Sequence, residues 1–216
     1  MRLVRDGRAA GERDSVLLEQ VDHPYPVLAG LLRAALENDG TLSVLDFGGA
    51  LGTTYFQCRR LLDTVTKVRW SIVEQPAHVA CGQAEFANEE LCFYESVDSC
   101  IRTEQPAVLL LSSVIQYLPE PYTLISDLLR HRLPHVIVDR TPFMRSGRDR
   151  LTVQRVPPWI YEASYPAWFL SEQRFLACFE KDYRLLTSFS ALDTHHPEGD
   201  EADYKGFIFQ RCTEGG

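Results

Sequence analysis

The stretch Ser43-Val-Leu-Asp-Phe-Gly-Gly-Ala-Leu-Gly-Thr53 constrains the fold more than any other part of the chain. Residues suited to a buried strand lead into an acid. Three glycines then fall within five residues, and a helix-like segment runs from Thr54 to Leu62. Strand, glycine turn and helix in that order is how an α/β sheet presents a nucleoside-containing ligand above its first strand. The glycines let the chain turn sharply and let a ligand approach the backbone.

Spacing separates two cofactor classes. A dinucleotide fingerprint G-x-G-x-x-G would use Gly49 and Gly52 and want glycine at position 47, where Phe47 stands. A turn for S-adenosylmethionine, acid-x-G-x-G-x-G, is met by Asp46, Gly48 and Gly52, with Ala50 at the middle position. Each template loses one glycine. Asp46 favours the second, because a carboxylate can receive the ammonium of the amino acid end. No lysine or arginine lies in the turn for phosphates. A plain tight turn without a ligand is the competing reading.

The chain has 216 residues, enough for one α/β domain with a proper core, and no linker divides it. We expect a single domain over 1–216, with 1–40 as lead-in and helix and 141–170 as a lid-like insertion. A net charge of −8 argues against general nucleic-acid binding, which needs a basic face. Six scattered cysteines (Cys58, Cys81, Cys92, Cys100, Cys178, Cys212), with no C-x-x-C pair, read as reduced and mostly buried rather than as disulfides or a metal site. The amino terminus shows no apolar signal core, and no apolar run reaches membrane-spanning length. These features predict a cytoplasmic protein with no membrane partner.

Residues 1–22 read as a frayed or loosely docked lead-in. A helix with apolar period follows from Val27 to Leu36 and stops at Asn38-Asp-Gly40. His23 is read as a loop residue. Lys67 to Glu74 alternates as a second strand, and Glu74 at its tip can accept both ribose hydroxyls of an adenosine. A short helix runs from Gln75-Pro76 to Phe86. Leu91 to Tyr94 reads as a third strand, and Glu95-Ser96 falls where adenine would sit. After a small helix (Val97 to Arg102), Pro106 to Leu111 is the clearest buried strand.

The loop after that strand faces the transferred group in this architecture, which makes Ser112, Gln116 and Tyr117 candidates. The alternative is that the serines cap the next helix and Tyr117 packs on the core. Tyr122 to Leu133 reads as an amphipathic helix. Pro134 to Asp139 reads as a fifth strand ending in an acid, with His131 and His135 as structural residues. Asp139 is either a general base on an acceptor hydroxyl or an arginine partner. Residues 141–170 break the repeating pattern and hold Arg145, Arg148, Arg150 and Arg155 with Trp159, Tyr161, Tyr165 and Trp168. They read as a long loop whose arginines suit an anionic group and whose aromatics suit stacking, or as a lid packed by its own aromatics. A helix capped by Ser171 and strands at 183–189 and 204–210 close the chain. His195-His196 lie on the intervening loop without the spacing of a metal motif.

This layout resembles the class I S-adenosylmethionine-dependent methyltransferases, a Rossmann-like α/β fold. Its seven-stranded sheet is mostly parallel, with an antiparallel last strand and helices on both faces. More narrowly, the chain is similar to a small family of methyltransferases, assigned largely by fold, associated with bacterial surface-polysaccharide gene clusters. Leu45 to Gly52, Val73-Glu-Gln-Pro76, Leu110 to Leu118, Val138 to Phe143, Asp149 to Gln154, Tyr161 to Pro166 and Tyr204 to Phe209 carry the likeness. It implies that Asp46, Gly48, Gly49, Gly52 and Glu74 hold the cofactor, with Ser112 to Tyr117 beside its methionine end. It also implies a sugar or sugar-nucleotide hydroxyl as acceptor; we expect methyl transfer to an oxygen, less readily a nitrogen, with Asp139 at its strand end as the first candidate base and Tyr117 the second. The rival readings are an NAD-type oxidoreductase, disfavoured by Phe47 and by the missing Tyr-x-x-x-Lys pair, and a non-catalytic subunit that binds S-adenosylmethionine.

Overall fold

In a computed structural model of the chain, residues 1–9, 11–13, 16–18, 21, 23–160, 162–191 and 201–212 are described. They form two compact units, Met1–Leu110 and Leu111–Gly216.

The first unit begins with α1 (Arg2–Arg5) and a short antiparallel pair, β1 (Gly11–Arg13) and β2 (Val16–Leu18). Within the described part of the lead-in, Arg2 pairs with Glu85, and Arg5 Nη1 donates to the Glu85 carbonyl at 2.7 Å. The helix α2 (Tyr25–Leu36) buries Val27, Leu28, Leu31, Ala34 and Ala35, the face that the apolar period predicts. Strand β3 (Thr41–Phe47) leads through the glycine turn into α3 (Thr53–Arg59), which a 3₁₀ turn extends to Leu62. Strand β4 (Lys67–Val73), α4 (Pro76–Glu85), β5 (Leu91–Tyr94), α5 (Val97–Glu104) and β6 (Val108–Ser112) follow. All five residues of β6 are buried, as expected of a parallel strand covered on both faces. β3 pairs in parallel with β4 and β6, and β4 with β5.

The second unit holds a 3₁₀ turn (Ile115–Tyr117), α6 (Pro121–Leu129), β7 (His135–Met144), β8 (Arg150–Arg155), β9 (Ser164–Phe169), α7 (Glu172–Ala177), β10 (Tyr183–Ser190) and β11 (Ala202–Arg211). β11 runs antiparallel to both β7 and β10. Phe143, Phe175, Phe179, Phe207 and Phe209 form the aromatic heart of this unit, with Phe179 and Phe209 stacked at 4.0 Å. The N-cap expected at Ser171 is present, its hydroxyl accepting from the Arg174 N–H.

Hydrogen bonding orders the seven strands β10-β11-β7-β6-β3-β4-β5. This is the mostly parallel sheet with an antiparallel last strand, surrounded by helices, that the sequence predicts. Two expectations are corrected. The fifth strand does not end at Asp139 but continues to Met144, because β11 supplies pairing partners as far as Ala202 opposite Met144. Residues 141–170 are not a loop: β8 and β9 form an antiparallel hairpin in which Leu151 faces Trp168 and Val153 faces Pro166.

Candidate active site

The parallel register lines up three strand ends in the first unit. Phe47 pairs with Val73 and Val73 with Tyr94, so Gly48, Glu74 and Glu95 leave the sheet side by side at its carboxyl edge. Ligands of open α/β sheets bind at that edge.

The turn from Gly48 to Gly52 alternates through left-handed backbone: φ is 71° at Gly48, 50° at Ala50 and 94° at Gly52. Gly48 donates to the Val73 carbonyl at 2.9 Å, and Gly52 donates to the Gly49 carbonyl at 2.9 Å before starting α3. The carboxylate of Asp46 lies beneath this turn, 1% exposed, accepting from Trp70 Nε1 at 2.9 Å on Oδ2. Asp46 therefore supports the turn from below. Glu74, mostly buried, accepts from the Gln75 N–H at 2.7 Å on Oε2, with His78 Nδ1 at 3.7 Å. Glu95 is exposed, one residue before Ser96 caps α5.

The second unit collects the other candidates. Ser112 Oγ donates to Asp139 Oδ2 at 3.3 Å, and Arg140 reaches Ser112 Oγ with Nη2 at 3.3 Å and Asp139 Oδ2 with Nε at 3.7 Å. Asp139 thus has an arginine, its chain neighbour, within ion-pair distance. Ser113 and Arg140 both sit in left-handed backbone, φ 53° and 51°, and Ser113 N–H donates to the Asp139 carbonyl at 3.0 Å. Non-glycine residues held this way tend to gather at functional sites. Gln116 is buried, its amide Nε2 donating to Ser113 Oγ at 3.1 Å and to the Arg140 carbonyl at 3.3 Å. Tyr117 is 38% exposed, donates to Gln154 Oε1 at 3.2 Å and meets Tyr165 edge-on at 5.4 Å. It packs on the hairpin rather than on the core.

Sequence reasoning named Arg140 only as part of the family likeness and gave it no role. Its charge next to Asp139 was the available signal. Arg145 does not stand free for an acceptor, since it pairs with Glu201 and, at 2.8 Å, with Asp203. Tyr161 and His195-His196 lie outside the described residues.

No family model matches the chain, and neither does any curated protein. Solved structures do match. An S-adenosylmethionine-dependent methyltransferase from Methanosarcina mazei is 10% identical, with 89% of this chain and 100% of that one covered at a TM-score of 0.59. Magnesium protoporphyrin IX methyltransferase (ChlM) from Synechocystis PCC 6803, solved with bound SAM, is 12% identical over 87% of this chain and 77% of that one, TM-score 0.55. The N-terminal domain of EvdMO1, solved in the presence of SAH and D-fucose, is 13% identical over 98% of this chain and 95% of that one, TM-score 0.53. At these identities the likeness is one of fold.

Proposed function

We propose that the chain is an S-adenosylmethionine-dependent methyltransferase acting on a hydroxyl, or less readily an amine, of a small acceptor such as a sugar or sugar nucleotide. The carrying observation is the carboxyl edge of β3, β4 and β5, where a left-handed glycine turn, Glu74 and Glu95 emerge in adjacent register. The donor set fits the cofactor. Glu74 offers a carboxylate to the ribose diol, Glu95 lies where adenine would sit, and the Gly48–Gly52 backbone offers close approach. Asp46 acts through the turn it supports. Ser112 and Gln116 would lie beside the methionine end.

S-adenosylmethionine supplies an electrophilic sulfonium methyl. Catalysis is then mainly alignment of the acceptor nucleophile, with a base needed for a poorly acidic hydroxyl. Asp139 is the proposed base, with Arg140 Nε 3.7 Å from its Oδ2. Tyr117 and Tyr165 would form a ledge against which an acceptor ring rests. A sugar acceptor and a bacterial surface-polysaccharide setting rest on the family likeness. The D-fucose with which the EvdMO1 domain was solved accords with the same acceptor class.

Thermal unfolding with S-adenosylhomocysteine, S-adenosylmethionine and NAD tests the cofactor. A ligand at about a hundred times its dissociation constant adds roughly 2.7 kcal/mol, a rise of roughly 5–10 °C for a chain of this size. We expect a rise with the two sulfur ligands, reduced in Glu74→Ala, and none with NAD. A shift with NAD alone overturns the reading. The pairing of Asp139 with Arg140 also favours a second reading, a cofactor-binding subunit without catalysis. Transfer of labelled methyl to a panel of sugars separates the two.

A further inference from the structure

The hairpin β8–β9 has two unlike faces. Facing residues across an antiparallel pair share a side of the sheet. Thr152, Ala167, Gln154, Tyr165 and Phe169 therefore lie on one face, which carries the Tyr117 contacts and buries Ala167 and Phe169. Leu151, Val153, Arg155, Pro166 and Trp168 lie on the other. On that outer face Leu151 is 53% exposed and Val153 67% exposed, and Pro166 and Arg155 are exposed beside them. Trp159, in the turn at the hairpin tip, is 84% exposed. Large apolar side chains left open in a row on one sheet face mark an interaction surface.

Charge selects the partner. The chain as a whole carries −8, yet residues 140–155 hold five arginines and a single acid, Asp149. Arg140 lies beside Asp139 and Arg145 pairs with Glu201 and Asp203, so exposed Arg148 and Arg155 carry the outward charge of the hairpin. Asp149 is engaged by Arg174, Tyr122 and the Ser171 N–H, so it does not offset the hairpin. Arg155 stands on the outer face in line with Leu151 and Val153, and exposed Arg148 precedes the first strand. Exposed aliphatic side chains and Arg155 on one face, with exposed Trp159 at the hairpin tip and exposed Arg148 before the first strand, is the composition of a segment that rests in the interface of an anionic bilayer. The aliphatics enter the headgroup boundary, the indole sits at its level, and the arginines pair with lipid phosphates. A second copy of this chain, itself net acidic, presents no such row of phosphates.

We propose that the outer face of the β8–β9 hairpin docks the protein reversibly on an anionic membrane surface. The sequence reading expected no membrane partner because no segment is long enough to span, and no helix among the described residues is long and apolar enough to cross a membrane. Surface docking needs no such helix. It is independent of the cofactor reading and stands or falls separately from it.

The test is co-sedimentation of the full chain with vesicles of phosphatidylcholine alone or with about one-third phosphatidylglycerol. We expect binding to the anionic vesicles only, weakened by raised salt. Since each arginine near such a surface contributes about 1 kcal/mol, Arg148→Glu with Arg155→Glu should cut partitioning at least about tenfold. Val153→Ser with Trp159→Ala should cut it comparably. Tryptophan emission should shift to the blue on vesicle addition, and the shift should vanish in Trp159→Phe, leaving buried Trp70 and half-buried Trp168 as background. Unchanged melting curves would show that the exposed-face variants fold. Three results overturn the proposal: no binding to anionic vesicles, binding that the outer-face variants leave intact, or a dimer in buffer that those variants dissociate.

Discussion

Gly49 lies directly against Asp46: a Cβ built on Gly49 would stand 2.5 Å from Asp46 Oδ2 and 2.6 Å from its Cγ. The buried acid and the glycine therefore form a single steric unit, and the acid cannot yield because Trp70 holds it. Gly49→Ala should cost about 1–3 kcal/mol by overpacking and weaken S-adenosylhomocysteine binding. The cost should shrink in an Asp46→Ala background by roughly 0.5–3 kcal/mol of coupling. Urea unfolding of the four proteins of that cycle measures it. Strict additivity would show that the turn fails for another reason.

Ala50 presents the opposite case. It occupies left-handed backbone at φ 50°, where a Cβ crowds the neighbouring carbonyl. Ala50→Gly should remove a strain of about 1–2 kcal/mol. The extra freedom glycine gives the unfolded chain offsets up to about 1 kcal/mol of it. A rise of a few degrees in thermal midpoint, with cofactor binding retained or improved, is the expected outcome. A lower midpoint would mean that the alanine methyl makes contacts worth more than the strain.

These two positions show what could be read in advance. The glycine spacing and the acid before it were visible as pattern, as was the strand–helix alternation, because periodicity and turn chemistry are local. The close approach of Trp70 to Asp46 was not visible, since it joins residues 24 apart through the pairing of β3 and β4. Arg140 escaped for a similar reason: its reach to Ser112 depends on β6 and on its own left-handed backbone. The arginines and aromatics of 141–170 concealed a hairpin because Pro157-Pro158 and Pro166 lower the strand signal there. Pro166 is accommodated on β9, one strand of a two-stranded sheet.

Glu104 gives the acid side of the stability curve. It accepts from Arg69 Nε at 2.6 Å and Nη2 at 2.7 Å and from the Tyr94 hydroxyl. Arg69 above all, with Tyr94 adding, holds its carboxyl below the ordinary 4.5 against the opposing effect of burial. A carboxyl lowered on folding contributes stability above its unfolded value, and that contribution is lost as pH falls through the folded one. Glu104→Gln should therefore be less stable than the parent at neutral pH, with the gap closing as pH falls below the ordinary 4.5 and through the lowered folded value. Melting both proteins across that range is the check. A constant gap would assign the effect to packing.

The cysteines correct one expectation and supply another test. Cys58 and Cys100 are buried, Cys81, Cys92 and Cys178 are half-buried, and Cys212 is exposed, so the set is less buried than its scatter implied. Burial pushes the Cys100 thiol up to about 12 and raises Cys92 and Cys178 as well. Since the thiolate is the reactive form, titration with a disulfide reagent at about pH 8 should show one fast thiol, abolished by Cys212→Ser. Cys58 and Cys100 should react only on unfolding. A fast phase that survives Cys212→Ser would contradict the assigned burial.

Asp149 carries the attachment of the hairpin. Its carboxylate accepts from the Ser171 N–H at 2.6 Å, from the Tyr122 hydroxyl and from Arg174, whose guanidinium lies 4.4 Å over the Tyr122 ring. These partners are unequal. Arg174 is largely exposed, so its ion pair is screened and worth about 1 kcal/mol or less. The Ser171 N–H and the Tyr122 hydroxyl are held where water competes less, and hydrogen bonds to a charged acceptor contribute about 1.5–3 kcal/mol each. Burial, with Asp149 adding to it, also raises the Tyr122 phenol, which keeps it a donor throughout the neutral range. Asp149→Ala should then cost about 3 kcal/mol in urea unfolding and Arg174→Ala under about 1 kcal/mol. Equal losses would place the stabilisation in the ion pair instead. Protease cleavage between β8 and β9 should accelerate in Asp149→Ala alone, because that substitution frees the base of the hairpin while leaving its strand pairing intact.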